Sequence, residues 1–271
     1  MTSPQDTRVL ITGAAGAIGS TLREGLAGRY ALLRLADRQP LAAPGAKEEA
    51  VTCDITDAAA VAALMPDIDC IVHLAGVPRE GPWEAIHPNN IVGTYNVFEQ
   101  ARLHGVRRIV YASSNHVIGY YRADRRVGVD VPARPDSRYG VSKVFGEALG
   151  RLYADKHAMS VASLRIGSFR KRPEDARQLA TWISPRDMTE LVRCAIEAPD
   201  YHYIVVYGVS ANRRARWDNT DAQRIGYVPR DDAEQYAALF RDAGKPNDPA
   251  VLFHGGGFCA LEWNGNVDDI D

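Results

Sequence analysis

The run Arg8-Val-Leu-Ile-Thr12 leads into Gly13-Ala-Ala-Gly16-Ala-Ile-Gly19, after which Ile18, Leu22 and Leu26 recur on one helical face. An apolar strand, a glycine turn and an amphipathic helix in that order begin a βαβ unit, and so a parallel sheet. In such a turn the first glycine lets the chain reverse, the second lets backbone amides approach a pyrophosphate, and the third lets the helix pack closely on the sheet. Gly13, Gly16, Ala17, Ile18 and Gly19 are therefore expected to hold the phosphates of a dinucleotide. A plain packing turn is the alternative, and the strand and helix on either side argue against it.

The alternation continues beyond this unit. Strands are expected at 31–37, 50–53, 70–74, 108–113 and 161–166, and helices at 58–65 and 89–104. The fold class is thus α/β, a doubly wound parallel sheet of the Rossmann type. Such sheets bind ligands beyond the carboxyl ends of their strands, where Gly13, Asp37, Asp54, Gly76 and Ser113 all fall. Ile55, Leu74 and Ala75 flank the same ends and join the expected cofactor contacts. The stretch 119–138 carries Pro132 and Pro135 and reads as a long loop, and 168–177 as a basic one. Ser184-Pro185-Arg186-Asp187 opens another helix, and 204–207 is a further strand. Beyond that the signals weaken, with helices expected at 217–224 and 231–241. No linker separates the parts. Residues 1–165 are expected to form the dinucleotide-binding core and 166–271 mainly a small, interleaved C-terminal substrate cap, all in one globular unit.

Composition narrows the partners. With 32 basic and 34 acidic residues the net charge is -2, which gives no electrostatic footprint for nucleic acid or an anionic membrane. A small-molecule partner is expected, and a homo-oligomer stays open. Met1 to Arg8 is short and polar, and no run of ~18 apolar residues occurs, so neither a signal peptide nor a membrane span is expected. A cytoplasmic protein is expected. Cys53, Cys70, Cys194 and Cys259 show no C-x-x-C spacing and the histidines no H-x-x-x-H, so no metal site is expected.

Asp37 closes the second strand, where a carboxylate reaches both hydroxyls of an adenosine ribose. This favours NAD. The carboxylate repels a 2′-phosphate, while neighbouring Arg38 keeps NADP open. Asp54, after the third strand, is placed for an adenine contact or is a surface acid. Ser113-Ser114-Asn115-His116 follows the fifth strand at the ligand edge, where a serine hydroxyl can hold a reacting oxygen. Tyr139 and Lys143 stand four apart on a helix, so a phenol and an ammonium share one face. A tyrosine that acts as a base near neutral pH needs its phenolate stabilised by about 2–3 pKa units. Lys143 is expected to supply part of this, and the cationic nicotinamide ring more. His116 suggests a hydrolase triad, but no G-x-S-x-G exists, so His254-Gly255-Gly256-Gly257 is read as a glycine turn rather than an oxyanion motif.

Glycine loop, Asp37, Ser113-Ser114 and Tyr139-x-x-x-Lys143 together resemble the extended short-chain dehydrogenase/reductases, the sugar epimerases and dehydratases. A closer resemblance is to the uronate dehydrogenases within that superfamily. It is carried by Ala112-Ser-Ser-Asn-His-Val-Ile-Gly-Tyr-Tyr121, Asp130-Val-Pro-Ala-Arg-Pro-Asp136, Leu164-Arg-Ile-Gly-Ser168, Thr181-Trp182, Trp217-Asp-Asn219 and Gly255-Gly256. The resemblance implies oxidation of C1 of galacturonate or glucuronate by NAD to an aldarolactone, with Tyr139 as base and Lys143 and Ser114 beside it. It further implies that Ser114, Asn115, His116, Tyr139 and Ser168 contact the sugar and that Arg177 binds its carboxylate. Pro78 stands where this family carries a serine, and Arg170, Lys171 and Arg172 make the loop more basic than the resemblance requires. Two rivals remain at this level. One is a nucleotide-sugar epimerase or dehydratase, the other a catalytically silent NAD-sensing regulator.

Overall fold

The computed structural model describes residues 3–240 and 247–270. Strand β1 (Arg8–Thr12) buries every side chain after Arg8, and it can do so because helices cover both faces of its sheet. β2 (Leu32–Asp37), β3 (Glu48–Thr52), β4 (Cys70–His73), β5 (Arg108–Ser114) and β6 (Ser160–Ile166) join it, all in parallel register. A two-stranded ribbon of β7 (Ser168–Phe169) and β8 (Trp182–Ile183) stands apart, and β9 (Tyr203–Gly208) returns to the main sheet beside β6. The order β3-β2-β1-β4-β5-β6-β9 reverses direction between β1 and β4. That reversal opens a crevice at the carboxyl ends of these two strands.

One face is covered by α1 (Ala17–Gly25), whose Leu22 shares a core with Met188, Leu191 and Val192 of a later helix, Pro185–Glu197. On the other face lie α2 (Ala58–Ala62) and a helical stretch built from α3 (Trp83–Ile86), a π-helical segment over His87–Val92 and α4 (Gly93–Leu103). α5 (Arg138–His157) completes that face, packing Leu149 and Tyr153 against Val97 and Phe98 of α4. The remaining helices are α6 (Gln178–Thr181), α7 (the Pro185–Glu197 helix), α8 (Pro249–Leu252) and α9 (Gly257–Ala260).

Three expected elements differ. The helix expected at 89–104 begins earlier, at Trp83, and its wide turn places Asn90 inward. There Asn90 Nδ2 donates to Ser142 Oγ of α5 at 3.0 Å, while its Oδ1 accepts from the Val77 amide at 2.7 Å. The expected helices at 217–224 and 231–241 are 3-10 turns, Thr220–Ile225 and Ala233–Leu239, and Arg241 lies outside the described residues. Each buries only one or two side chains, too few for the apolar stripe that sustains an α-helix.

Past residue 165, α7 and β9 belong to the layers of the main sheet. Segment 249–260 instead docks on the loop that precedes α5: Ala123 donates to Leu252 O at 2.8 Å, His254 to Tyr121 O at 2.9 Å and Gly255 to Gly119 O at 2.9 Å. No helix among the described residues is long and apolar enough to cross a membrane.

Candidate active site

The first turn of α5 is fixed from two sides. Ser137 caps it, its hydroxyl accepting from the Gly140 amide at 3.0 Å. Glu80, from the loop after β4, accepts from the Tyr139 amide at 2.9 Å and from Arg138 at 2.7 Å. Arg138 reaches Glu262 as well, at 2.7 Å, and so ties three segments together. Tyr139 is thereby held against the end of β5, close enough to Ser114 for that hydroxyl to favour the phenolate. Lys143 lies one turn further, Nζ donating to Ala112 O at 2.8 Å and standing 5.5 Å from the Tyr139 ring centroid.

Burial dominates the electrostatics of this pair. Burial pushes the Tyr139 phenol up to about 12, with the Ser114 hydrogen bond pulling the other way and the Asp136 charge adding to the rise. Burial also pushes Lys143 down to about 8. The protein alone therefore does not lower the phenol. Desolvation is the largest cause of the Tyr139 shift and the one cause of the Lys143 shift.

A cavity of about 740 Å³ runs from the glycine loop past Tyr139 to Arg177. At its cofactor end Gly13 has φ +75°, and a Cβ there would stand 2.7 Å from the Ala75 amide nitrogen. Only glycine allows β1 and β4 to approach so closely at this turn. Gly16, Ala17, Ile18 and Gly19 line the same end. Asp37 accepts from the Ala15 amide at 3.0 Å and from Gln39 at 2.8 Å. A carboxylate offers about four acceptor positions, so it retains capacity for ribose hydroxyls while bracing the loop. Arg38, Asp54, Ile55, Leu74, Ala75 and Gly76 all face this end, and hydrogen bonds from Thr56 hold the Asp54 carboxyl below its usual range. The residues present thus fit a dinucleotide. Ser113 lines the cavity too, but its hydroxyl is turned away, donating to Glu147 at 2.6 Å in a buried cluster with Arg165. Of the two serines, Ser114 keeps no carboxylate partner of this kind among the described residues and lines the cavity beside Tyr139.

At the other end stand Asn115, His116, Ser168 and Arg177. Ser168 Oγ bonds Thr181 Oγ1 at 2.9 Å. Arg177 is half-buried, donates to His254 O at 3.3 Å and to Ser168 Oγ at 3.4 Å, and among the described residues has no carboxylate in ion-pair contact. Burial lowers its pKa, although the Asp175 and Asp136 charges lie near enough to be felt. Pro78 and Arg170 also line the cavity, whereas Lys171 and Arg172 are exposed outside it.

Sequence reasoning undervalued the segment 254–258. Besides being a glycine turn, it walls the end of the cavity that holds Arg177: Gly255, Gly257 and Phe258 line it. His254 is a strut, accepting from Trp217 Nε1 at 3.2 Å and bonding Arg125 O at 3.1 Å, with burial pushing its pKa down to about 4. Its position next to a glycine triplet was visible. Its long-range partners were not. Among the described residues no group of His, Cys, Asp and Glu is arranged to hold a metal.

This architecture has close counterparts. The chain belongs to the NAD dependent epimerase/dehydratase family, whose sequence profile matches residues 9–185. Within that family it groups with the uronate dehydrogenases. The uronate dehydrogenase of Pseudomonas putida is 44% identical over 262 residues, which cover 96% of this chain and 98% of that one. That of Agrobacterium fabrum is 48% identical over 254 residues, 93% of this chain and 96% of its own. Among solved structures, the uronate dehydrogenase of Agrobacterium tumefaciens matches with a TM-score of 0.89 at 47% identity, covering 94% of this chain and 97% of that one.

Proposed function

We propose that the protein oxidises C1 of a cyclic hexuronate, galacturonate or glucuronate, to an aldarolactone with NAD as the oxidant. The observation that carries the substrate class is Arg177, a half-buried cation with no carboxylate paired to it among the described residues, at the opposite end of one cavity from the dinucleotide cradle. An unpaired buried cation is costly, and a planar guanidinium is suited to grip a carboxylate with two parallel bonds. The uronate dehydrogenases to which the chain is similar support the same substrate.

When bound, NAD supplies the hydride acceptor and a positive ring beside Tyr139. Ser114 holds the C1 hydroxyl against the Tyr139 oxygen, and Tyr139 takes its proton as the hydride leaves C1. Loss of hydride from a ring hemiacetal carbon leaves the ring ester directly, so positioning and electrostatics suffice. Lys143, anchored to Ala112 O, keeps a cation near the developing phenolate at pH values where it is protonated. Asn115, His116 and Ser168 orient the sugar, and Asp37 selects the ribose of NAD. We assign residues 1–165 mainly to the cofactor and 166–271 mainly to the sugar. We place the reaction in the cytoplasm, in keeping with four free, buried cysteines.

The test is turnover of purified protein with NAD and a panel of galacturonate, glucuronate, galactose and glucose. NADH released with uronates and far less with neutral sugars is the expected result. Equal rates on both classes, or none on uronates, would overturn the reading.

A further inference from the structure

Asp136 lies two residues before α5, and its side chain has 0% exposure. Its Oδ2 accepts from Nδ1 of His116 at 2.7 Å and its Oδ1 from the Ser137 hydroxyl at 2.6 Å, while the Cys259 thiol points at Oδ2 from 3.8 Å. The carboxylate fits because two glycines bare their backbones to it: a Cβ on Gly119 or on Gly255 would overlap Oδ2. Gly119 belongs to the loop before α5 and Gly255 to the docked C-terminal segment, so both walls of the site are shaped around this one carboxylate. Burial of a carboxylate is expensive unless its hydrogen bonds are used. Asp136 spends one oxygen on His116.

His116 is held on its other sides as well. Its ring stacks on Phe258 with centroids 4.0 Å apart and meets the Tyr139 ring edge-on at 5.7 Å. His116 lines the cavity and Asp136 does not, so the ring turns its Nε2 edge away from the carboxylate and toward the sugar end. An ionised carboxylate only accepts hydrogen bonds, so in a neutral imidazole facing it the proton sits on Nδ1 and Nε2 carries a lone pair.

We propose that Asp136 is a positioning residue that fixes the tautomer of His116, making Nε2 an acceptor that selects a substrate hydroxyl able to donate a hydrogen bond. This rests on the reading of the cavity as a cyclic-sugar site. The site then recognises its sugar from two directions by opposite chemistry: Arg177 donates to a carboxylate, and His116 accepts from a hydroxyl. A group that only accepts, placed at that hydroxyl's position, meets a lone pair and is rejected.

The experiment compares wild type with Asp136→Asn on galacturonate and on galacturonates carrying fluorine in place of hydroxyl at C2, C3 or C4. Fluorine cannot donate. In Asp136→Asn the amide oxygen keeps the Ser137 hydroxyl, the amide nitrogen faces Nδ1, and the imidazole proton moves to Nε2. In wild type, one of the three analogues should lose at least ~30-fold in kcat/KM beyond the other two. In the variant, galacturonate should weaken by ~10- to 100-fold while that analogue does not, so the hydroxyl-to-fluorine ratio at that one position falls at least ~10-fold. The ratios at the other two positions and the NAD affinity should hold. The inductive effect of fluorine on hydride loss is common to both proteins and cancels in the comparison. A ratio unchanged at every position, or no discrimination in wild type, overturns the proposal. Should Asp136→Asn fail to fold, the nitrogen-15 spectrum of wild type decides it: His116 protonated on Nδ1 supports the proposal and His116 protonated on Nε2 overturns it. Failure to turn over galacturonate at all counts instead against the proposed substrate class.

Discussion

Arg177 rests on the bare backbone of Gly256: a Cβ at Gly256 would overlap Nε of the guanidinium, and the residue sits at φ +64° and ψ -135°, a region nearly closed to side chains. Gly256→Ala should therefore both strain the turn and displace the cation. We expect a stability loss of about 1–3 kcal/mol by thermal melting and a KM for galacturonate raised at least ~10-fold. A variant with unchanged KM would mean that Arg177 does not set uronate affinity.

Arg177→Ala should reduce kcat/KM for galacturonate by about 2–5 kcal/mol, since the substrate carboxylate is left uncompensated in a half-buried site. Galactose has no carboxylate, and its rate should barely move. Parallel losses on the two sugars would make Arg177 structural.

Tyr139→Phe removes one oxygen and keeps the packed ring, so turnover should fall at least ~100-fold while NAD binding stays intact. In wild type, burial holds the phenol protonated, and kcat/KM should climb with alkalinity as the base is freed. A flat pH profile that survives the substitution would require another base.

Lys143 links the site to stability. Its pKa is lowered from 10.5 to about 8 in the folded protein, so between those values the unfolded chain holds more protons than the folded one. The penalty for burying the ammonium is full below about pH 8 and fades as pH rises toward about 10.5. Relative to Lys143→Met, wild type should therefore gain stability from pH 7 to pH 10, by at most about 3 kcal/mol in urea titrations. An opposite trend would show that the ammonium is stabilised where it lies.

Asp37→Ala should weaken NAD about 10- to 100-fold, because the carboxylate both braces the glycine loop through Ala15 and faces the ribose. The ratio of NADP to NAD use should rise as the repulsion of a 2′-phosphate is removed. An unmoved ratio would place Asp37 away from the ribose.

The sheet was legible because its strands are short apolar runs closed by residues that cannot continue them, as Gly13 closes β1 and Asp37 closes β2. The helix of Tyr139 and Lys143 declared itself by spacing. What local patterns did not disclose was set by distant partners. Asp136 looks like an ordinary loop acid until Gly119 and Gly255 close around it. Ser113 and Ser114 are neighbours of one type, yet strand alternation sends one hydroxyl to Glu147 and leaves the other at the cavity beside Tyr139, accepting from the His116 amide. The burial that raises the Tyr139 phenol follows from packing that no five-residue motif encodes.

The docking of 249–260 on the loop before α5 also bears on the order in which a newly made chain becomes competent. All the strands of the main sheet leave the ribosome before Gly255 and Phe258, and domains commonly begin to fold during synthesis. The strands that flank the glycine loop are therefore made before the wall of the cavity that faces Arg177. That wall closes only when segment 249–260 reaches Gly119 and Phe258 settles on His116. A chain interrupted before residue 249 would carry every strand of the main sheet and still lack Gly255, Gly257 and Phe258 from its cavity.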